Sequence, residues 1–591
     1  MPSNDPLATS NGCPFVMADG KQCGRPLHQN QSGFDERPVC IMHSRDPGKS
    51  HEDFGENMFA ILQGRSNANR NKSRFDFTGF IFPDVALKEH YRLEVIFKNA
   101  TFTLHANFSG SSFTEPVDFS EATFESDANF RQVSFQRAFK FSDAKFKGEV
   151  DFTGLTLGCP AEFSGVTFDQ VANFSGSTFN NLANFSRLRA TKEIKFSNAT
   201  FQHPAQFTSA TMTQADFSRA KFGQEATFVE ATFLNRSNFL NAQFNSVVRF
   251  IRSIFVNSVD FPLVQFDNDA LFWNTTFTAG ANFLGAVFRT TADFSHAVFG
   301  LRSGGSPLSN AIADFRDVRF VDQKLAVFHH VNNDSPQGLK IRLLKSDVEA
   351  VNFADIHWFG EGDRKLVLQD ELDITTPVKI EVGQGESKDK AKRETKETRE
   401  TPYEQVAITY RQLINNFEKV RAFDLAEDCW YGVREMKRLN PLNFVLAHRL
   451  LPYYKRWDWL RWFGERLSFL YLYQKASGYG CSHKRAFKVL ILLILIFAVA
   501  YPVIGLDEIT QDRHADHPGL RSISGLVIAF TAGLHHSLEV VTFQRSPVYV
   551  TPNHLGRLAE IIETILIAGQ VSLFLLALRR RFRTGSSAGS A

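Results

Sequence analysis

Residues 97–152 read FKNATFTLHANFSGSSFTEPVDFSEATFESDANFRQVSFQRAFKFSDAKFKGEVDF. Phenylalanine returns in them at Phe97, Phe102, Phe108, Phe113, Phe119, Phe124, Phe130, Phe135, Phe141, Phe146 and Phe152, in alternating steps of five and six. The beat runs on to Phe283, Phe288, Phe294 and Phe299, so the period is eleven residues. Two places before the rings stand small residues such as Ala100, Ala106, Ala122, Ala128, Ala144, Ala172, Ala183 and Ala292. Positions i and i−2 of an extended segment share a face. An eleven-residue repeat can also wind a right-handed coiled coil. On a helix, at about 100° per residue, steps of five and six throw the two Phe sets roughly 140° apart and leave no single seam. The intervening Ser, Thr, Asn, Gly and Asp favour turns over helix interiors. Short strands separated by corners, each turning one Phe and one small residue inward, make a β-solenoid whose coils bury a continuous core.

Units such as Ala172-Asn173-Phe174-Ser175-Gly176-Ser177-Thr178-Phe179 resemble the pentapeptide-repeat family, in a variant with alternating five- and six-residue spacing. The resemblance implies a right-handed quadrilateral β-helix. The beat slips at Leu157, around Ala190 and at Met212, after which Phe217 comes one residue early, and these slips read as local bulges. The solenoid is expected over residues 75–382, with irregular C-terminal coils that protect its open edge.

A chain of 591 residues implies several domains, here a multidomain β + α membrane protein. Its 66 basic and 63 acidic residues leave a net charge of +3, which excludes a dominant nucleic-acid or acidic partner for the chain as a whole. Six cysteines do not form a spaced disulfide framework, and no N-terminal apolar run offers a signal peptide, so a reducing cytosol is expected for the bulk of the chain.

Within residues 1–60, Cys13, Cys23, Cys40 and His43 follow the spacing C-x9-C-x16-C-x2-H. Three soft thiolates and one imidazole are a tetrahedral zinc set, and in so short and polar a segment a metal replaces a missing core. Four protein ligands leave no open position for chemistry, so one structural zinc per chain is expected. The alternative is a set of unrelated thiols in a disordered arm.

Residues 383–401 (GQGESKDKAKRETKETRET) carry no apolar side chain larger than Ala and read as a charged, disordered linker. In 402–440, Val406, Tyr410, Leu413, Phe417 and Val420, then Leu425, Cys429, Val433 and Met436, recur at helical spacing, as in an amphipathic helix pair broken near 421–424. In 443–475 aromatic and basic residues interleave, and Trp457, Trp459 and Trp462 suit an interfacial helix; a packed cytosolic helix is the alternative.

Residues 485–583 carry the membrane signal, and 584–591 read as a flexible tail. Val489–Leu506 and Ile561–Leu578 are long enough to span hydrocarbon. Lys484, Arg485 and Lys488 precede the first run, and Arg579, Arg580, Arg581 and Arg583 follow the second. Positive flanks face the cytoplasm, so the chain is expected in the inner membrane with two spans and both termini cytoplasmic. Between the spans, Ser524–Phe543 is apolar but carries Thr531, His535, His536 and Glu539. Two spans joined by such a segment, with Ser477-Gly478-Tyr479-Gly480, Tyr410-Arg411-Gln412-Leu413 and Gly556-Arg557-Leu558, resemble bacterial pentapeptide-repeat proteins fused to a two-transmembrane, potassium-channel-like pore with a re-entrant helix. The resemblance implies a homotetramer. Potassium selectivity needs glycine-bearing backbone whose carbonyls replace the ion's water, whereas Val541-Thr542-Phe543-Gln544-Arg545-Ser546-Pro547 has none. Selectivity for potassium is therefore not expected, and the pore-like residues are Glu539, Thr542, Phe543, Gln544, Arg545 and Glu563. Glu560 is expected to cap the second span and Glu563 to meet the pore or another helix.

No nucleotide loop, nucleophile elbow or metalloprotease motif stands in a supporting context, so no enzyme is expected. The expected function is an ion-conducting pore subunit gated by a ligand or partner on its cytoplasmic solenoid. By analogy with other large sensors on small pores, the trigger is a nucleotide or nucleic-acid signal in a phage-defence role. The alternative is a membrane-anchored scaffold with a non-conducting pore. DNA mimicry requires an acidic rod, and residues 97–300 carry nearly equal numbers of basic and acidic residues.

Overall fold

The computed structural model describes residues 12–28, 34–62, 74–83, 85–86, 90–300, 311–332, 338–362, 364–375, 401–440, 469–508, 523–542, 548–551 and 553–585. The chain divides into two compact units, Met1–Phe359 with Leu368–Asp370, and Gly360–Val367 with Glu371–Ala591.

In the first unit the sequence beat becomes a ladder. Most strands are two residues long, and partners lie one coil apart: Thr123–Phe124 pairs in parallel with Thr101–Phe102 on one side and Lys145–Phe146 on the other. Ala128–Asn129 pairs in the same way with Ala106–Asn107 and Val150–Asp151. One coil is therefore two eleven-residue repeats and four strands, which is the quadrilateral arrangement. The faces stack into a 13-stranded sheet, an 11-stranded sheet and a 21-stranded sheet in which two faces merge through the long strands Arg189–Lys195 and Thr211–Asp216.

The alternation of five and six has a backbone cause. Every second corner is a tight turn closed by an i+3 hydrogen bond, such as Ala100 N to Phe97 O at 3.0 Å and Ala122 N to Phe119 O at 3.1 Å. Its third residue takes a positive φ, as at Asn99 (55°), Glu121 (61°) and Gly176 (65°), the signature of a type II turn. Rings separated by this tight corner are five apart; rings separated by the looser corner are six apart.

Inside, each ring lies on the ring one coil away. Phe97 and Phe119 stack at 4.7 Å, Phe102 and Phe124 at 4.6 Å, and Phe108 and Phe130 at 4.9 Å, within 10° of parallel. These distances match the spacing of about 4.7–4.9 Å between hydrogen-bonded strands, so ladder and ring columns share one repeat. Neighbouring columns meet edge to face, as Phe108 does with Phe119. Where the small inward slot holds Ser177, Ser253 or Thr275, the buried hydroxyl donates to the carbonyl of Phe152, Phe228 or Phe250 at 2.6–2.8 Å.

Leu157 is not the bulge that the broken beat suggests, whereas the slip around Ala190 and Met212 is a true register shift. Leu157 stands in register between Phe135 and Phe179, a smaller side chain in a Phe slot. Ala190 pairs with Phe168 and Met212, and Met212 with Phe233. The irregularity follows them, where the register shifts between Ala190 and Glu193. From there one coil is a residue short, with Phe201 opposite Phe222, and this brings Phe217 forward.

Both ends of the ladder are covered. At the start, Ile81 N donates to Met42 O at 2.8 Å, the Lys49 ammonium donates to Ile81 O at 2.5 Å, and Phe54 of helix α1 (His51–Leu62) lies edge-on to Phe82. Towards the other end, the Asn332 amide brackets Phe299, donating to its carbonyl at 2.8 Å and accepting from its N–H at 2.6 Å as a strand would.

The short helix α2 (Gln369–Thr375) precedes the helices of the second unit: α3 (Pro402–Lys419), α4 (Phe423–Leu439), α5 (Phe469–Ser477), α6 (His483–Ile504), α7 (Ile523–Thr542) and α8 (His554–Gly585). Helices α3 and α4 form a hairpin that turns at Arg421 (φ 60°) and buries Tyr410, Leu413 and Phe417 with Cys429, Val433 and Met436. A Cβ on Gly432 would lie 2.5 Å from the Tyr410 ring, so the pair closes only around glycine. Helices α6 and α8 are long and apolar enough to cross a membrane.

Because every ring has neighbours in the coils above and below, Phe207→Ala should cost about 3–5 kcal/mol of solenoid stability, read from denaturant unfolding followed by far-UV circular dichroism. A loss below about 1 kcal/mol would contradict the stacked-column account.

Candidate functional site

The N-terminal segment builds a cage. Cys13 and Cys23 face each other across a small hairpin in which Cys13 N donates to Arg25 O at 2.8 Å and Cys23 N to Phe15 O at 2.7 Å. Gly20 and Gly24 supply its positive φ angles, and a Cβ on Gly12 would lie 2.6 Å from Gly24 O. Cys40 and His43 share a turn closed by His43 N to Cys40 O at 3.0 Å. The three Sγ atoms and a His43 ring nitrogen lie within 4.8 Å of one another. Nδ1 is 3.1 Å from Cys40 Sγ and 3.4 Å from Cys13 Sγ, and Cys23 Sγ is 3.9 Å from Cys40 Sγ. A tetrahedral ion with bonds of about 2.3 Å needs donor separations of roughly 3.8 Å, so the set fits a metal ion. The other nitrogen, Nε2, lies 3.1 Å from Thr78 O; donating there fixes the tautomer and leaves the Nδ1 lone pair for the metal. Phe15 stacks on the imidazole at 4.1 Å, and Phe80 meets it edge-on. The thiols of Cys13 and Cys40 hold that of Cys23 well below its usual value, the state in which sulfur binds metal.

The second unit holds two polar assemblies. In the first, Arg364 makes a bidentate pair with Glu371 at 2.7 and 3.0 Å, lies over the Tyr431 ring, and shares Glu371 with the Tyr410 hydroxyl. Asp428 accepts from the backbone N–H groups of Lys365 and Leu366 at 2.7 and 3.2 Å. Burial nevertheless lifts its carboxyl to about 6. Close by, Gly478, Tyr479 and Gly480 all take positive φ immediately before α6. The Tyr479 hydroxyl donates to Glu435 at 2.8 Å, its carbonyl accepts from Arg434 at 2.8 Å, and Gln570 of α8 donates to Ala476 O and Ala486 O on either side of the turn. The hairpin, the start of α6 and the middle of α8 are thus joined by hydrogen bonds.

The second assembly lies among α6, α7 and α8. Glu563, with no solvent exposure, accepts from the Tyr501 hydroxyl at 2.5 Å and from the Ser537 hydroxyl. His536 Nε2 is 3.2 Å from Glu560, and Nδ1 is 3.6 Å from Glu539. Glu539 also accepts from Val548 N at 2.7 Å, and Glu560 from the Thr551 hydroxyl at 2.6 Å. Pro502 has no N–H to offer the Ala498 carbonyl, and α7 meets α6 here through Gly533, whose Cβ would lie 2.1 Å from that oxygen. Asp507–Glu508 then pairs antiparallel with Tyr549–Val550, so the chain leaves α6 and enters α8 at one place.

Cys13, Cys23, Cys40 and His43 converge on one point. Glu539 and Glu563 share one polar assembly, while Thr542 ends α7 with its hydroxyl bonded back to Leu538 O at 2.7 Å. Glu560 does not cap α8: it lies in the second turn, accepts from the Thr551 hydroxyl and lies 3.2 Å from His536 Nε2. Trp457, Trp459, Trp462, Phe543, Gln544 and Arg545 lie outside the described residues, as do 383–400 of the linker and 586–591 of the tail. Tyr501, Ser537 and the Arg364–Glu371 pair were missed from the sequence. Tyr501, a polar hydroxyl at the end of an apolar run, was the available signal.

Elemental analysis of the purified chain should find one metal ion per Cys13/Cys23/Cys40/His43 set, and Cys40→Ser should lose it while the solenoid keeps its β-sheet spectrum. Undiminished metal in that variant would remove the site. For Asp428 the folded pKa lies above the unfolded value of 3.8, so its contribution to stability is full below about pH 4 and is lost as pH rises through 6. Wild type should therefore lose up to about 3 kcal/mol relative to Asp428→Asn between pH 4 and 7 in paired melts, and parallel pH profiles would refute the assignment.

No curated protein and no solved structure matches the chain. Residues 108–156 and 196–239 match the family described as Pentapeptide repeats (9 copies), and with the four-strand coils around them they make the solenoid a pentapeptide-repeat domain.

Proposed function

We propose that the protein is a subunit of an ion-conducting membrane pore controlled by its pentapeptide-repeat solenoid. One observation carries this most directly. Only 11% of the apolar window of α6 and 22% of that of α8 is buried, whereas the carboxylates of Glu563 and Glu539 are hidden among the same helices. A soluble core would be built the other way round, with the apolar faces inside. Helices that present apolar surface outward and ionisable groups inward belong in lipid, around a polar path.

The course of the chain supports a re-entrant segment. Gly533 meets α6 near its end, at Ala498 and Pro502, while Ser537 reaches Ile494, one turn beyond Ala498, at 3.4 Å. Helix α7 therefore descends beside α6, and the strand pair at 507–508 and 549–550 brings the chain back to the entry end. Lipid surrounds the spans, part of the unburied surface of α6 and α8 packs against other copies as a homotetramer, and both termini are cytoplasmic. Zinc occupies the Cys13/Cys23/Cys40/His43 cage in a structural role. A cytoplasmic ligand of the nucleotide or nucleic-acid class, acting through the Tyr479 turn, opens the pore by binding open and closed states unequally.

Planar-bilayer recording on the purified full-length protein tests this reading, with discrete single-channel currents as the expected result. Membrane-inserted oligomers that stay silent would replace the pore with a membrane-anchored scaffold.

A further inference from the structure

We propose that His536 is a proton relay between Glu539 and Glu560, and that the ion passed by the membrane module is H+; this rests on the pore reading above. The two ring nitrogens of His536 face two different carboxylates on two different helices. Nε2 is 3.2 Å from Glu560 of α8, and Nδ1 is 3.6 Å from Glu539, one turn along α7. The ring is only 3% exposed and lies edge-on to Tyr501 at 4.6 Å. A histidine kept for structure alone would have both nitrogens hydrogen-bonded. Here Nδ1 and Glu539 Oε2 are both buried and without a hydrogen-bond partner among the described residues, and they face each other. A group that can carry a proton thus stands face to face with one that can take it.

The surroundings supply an entrance and a direction. Glu560, with a side chain 31% exposed, is the most accessible of the three carboxylates and lies beside Thr551, where the chain enters α8. Glu563 lies one turn further along α8, level with Ser537, and Glu539 lies beyond Ser537 in the direction in which α7 descends along α6. The groups around His536 are Tyr501 from α6, Glu560 and Glu563 from α8, His535 and Glu539 from its own helix, and Thr551 from the segment before α8. No Lys or Arg pairs with these carboxylates among the described residues, so protons are the charge available to neutralise them. In one step a proton leaves the Glu560 carboxyl and bonds to Nε2, while the Nδ1–H bond breaks and its proton joins the Glu539 carboxylate. Electron pairs stay on their own atoms; rotation of the ring then turns Nε2–H towards Glu539 and the bare Nδ1 towards Glu560, so a second proton passes by the same exchange and leaves the hydrogen on Nδ1 again.

The full-length protein should be reconstituted into vesicles holding a pH dye. A valinomycin-clamped potential drives H+, and Na+ uptake is measured in parallel. Wild type should pass H+ and should slow when D2O replaces water, while His536→Gln should lose about a hundredfold of the H+ flux. Glu539→Gln, which can still accept from Val548 N, should fall similarly and covers the case in which His536→Gln does not insert. H+ flux unchanged in an inserted variant, or equal wild-type rates in H2O and D2O, overturns the relay. Na+ flux without H+ flux overturns the relay and leaves the pore standing; neither flux overturns both.

Discussion

The stacking of one phenylalanine on the next at the distance between two β-strands governs the first unit. Ring columns and backbone ladder share a repeat near 4.7 Å, so each coil must offer the same residue kinds at the same positions, and a change in one column is felt in the coils on both sides. The end of the ladder is a problem, because an open coil presents unpaired N–H and C=O groups to any passing strand. The Cys/His cage answers it chemically: Thr78, whose carbonyl faces His43, belongs to the first coil, so a metal on His43 would stiffen the cover of that edge as well as its own loop.

How much was legible follows from the range of each interaction. The solenoid could be read because its contacts recur at a fixed separation, and the repetition in Phe97–Phe299 reports them many times over. Leu157 misled because the ladder follows the slot, which Leu fills without moving the backbone, whereas the slip around Ala190 and Met212 is a register shift in the strands themselves. Cys13, Cys23, Cys40 and His43 were legible as a group because soft ligands in a polar segment have few other uses. Glu563 stood out because a carboxylate in an apolar run demands a partner. Which partner could not be read: Tyr501 and Ser537 reach it from other helices, at separations that no local pattern encodes. The Arg364–Glu371 pair was hidden for the same reason, since its aromatic cover, Tyr410 and Tyr431, comes from both arms of the hairpin.

The turn before α6 shows how strain and buried charge can be used together. A non-glycine residue in the left-handed region costs of order 1–3 kcal/mol and persists only where its surroundings hold it. Tyr479 is held by Glu435 through its hydroxyl, by Arg434 through its carbonyl, and by the rings of Tyr431 and Tyr473. Glu435 is itself paired with Arg438, and burial together with the Glu435 charge keeps the Tyr479 hydroxyl protonated as a donor. Gln570, clamped to the carbonyls of Ala476 and Ala486, commits α8 to the same turn. A displacement of the α4 helix thus cannot be absorbed locally. It must either break a charge-assisted hydrogen bond to Glu435, at a cost of about 1.5–3 kcal/mol, or carry the beginning of α6 and the middle of α8 with it.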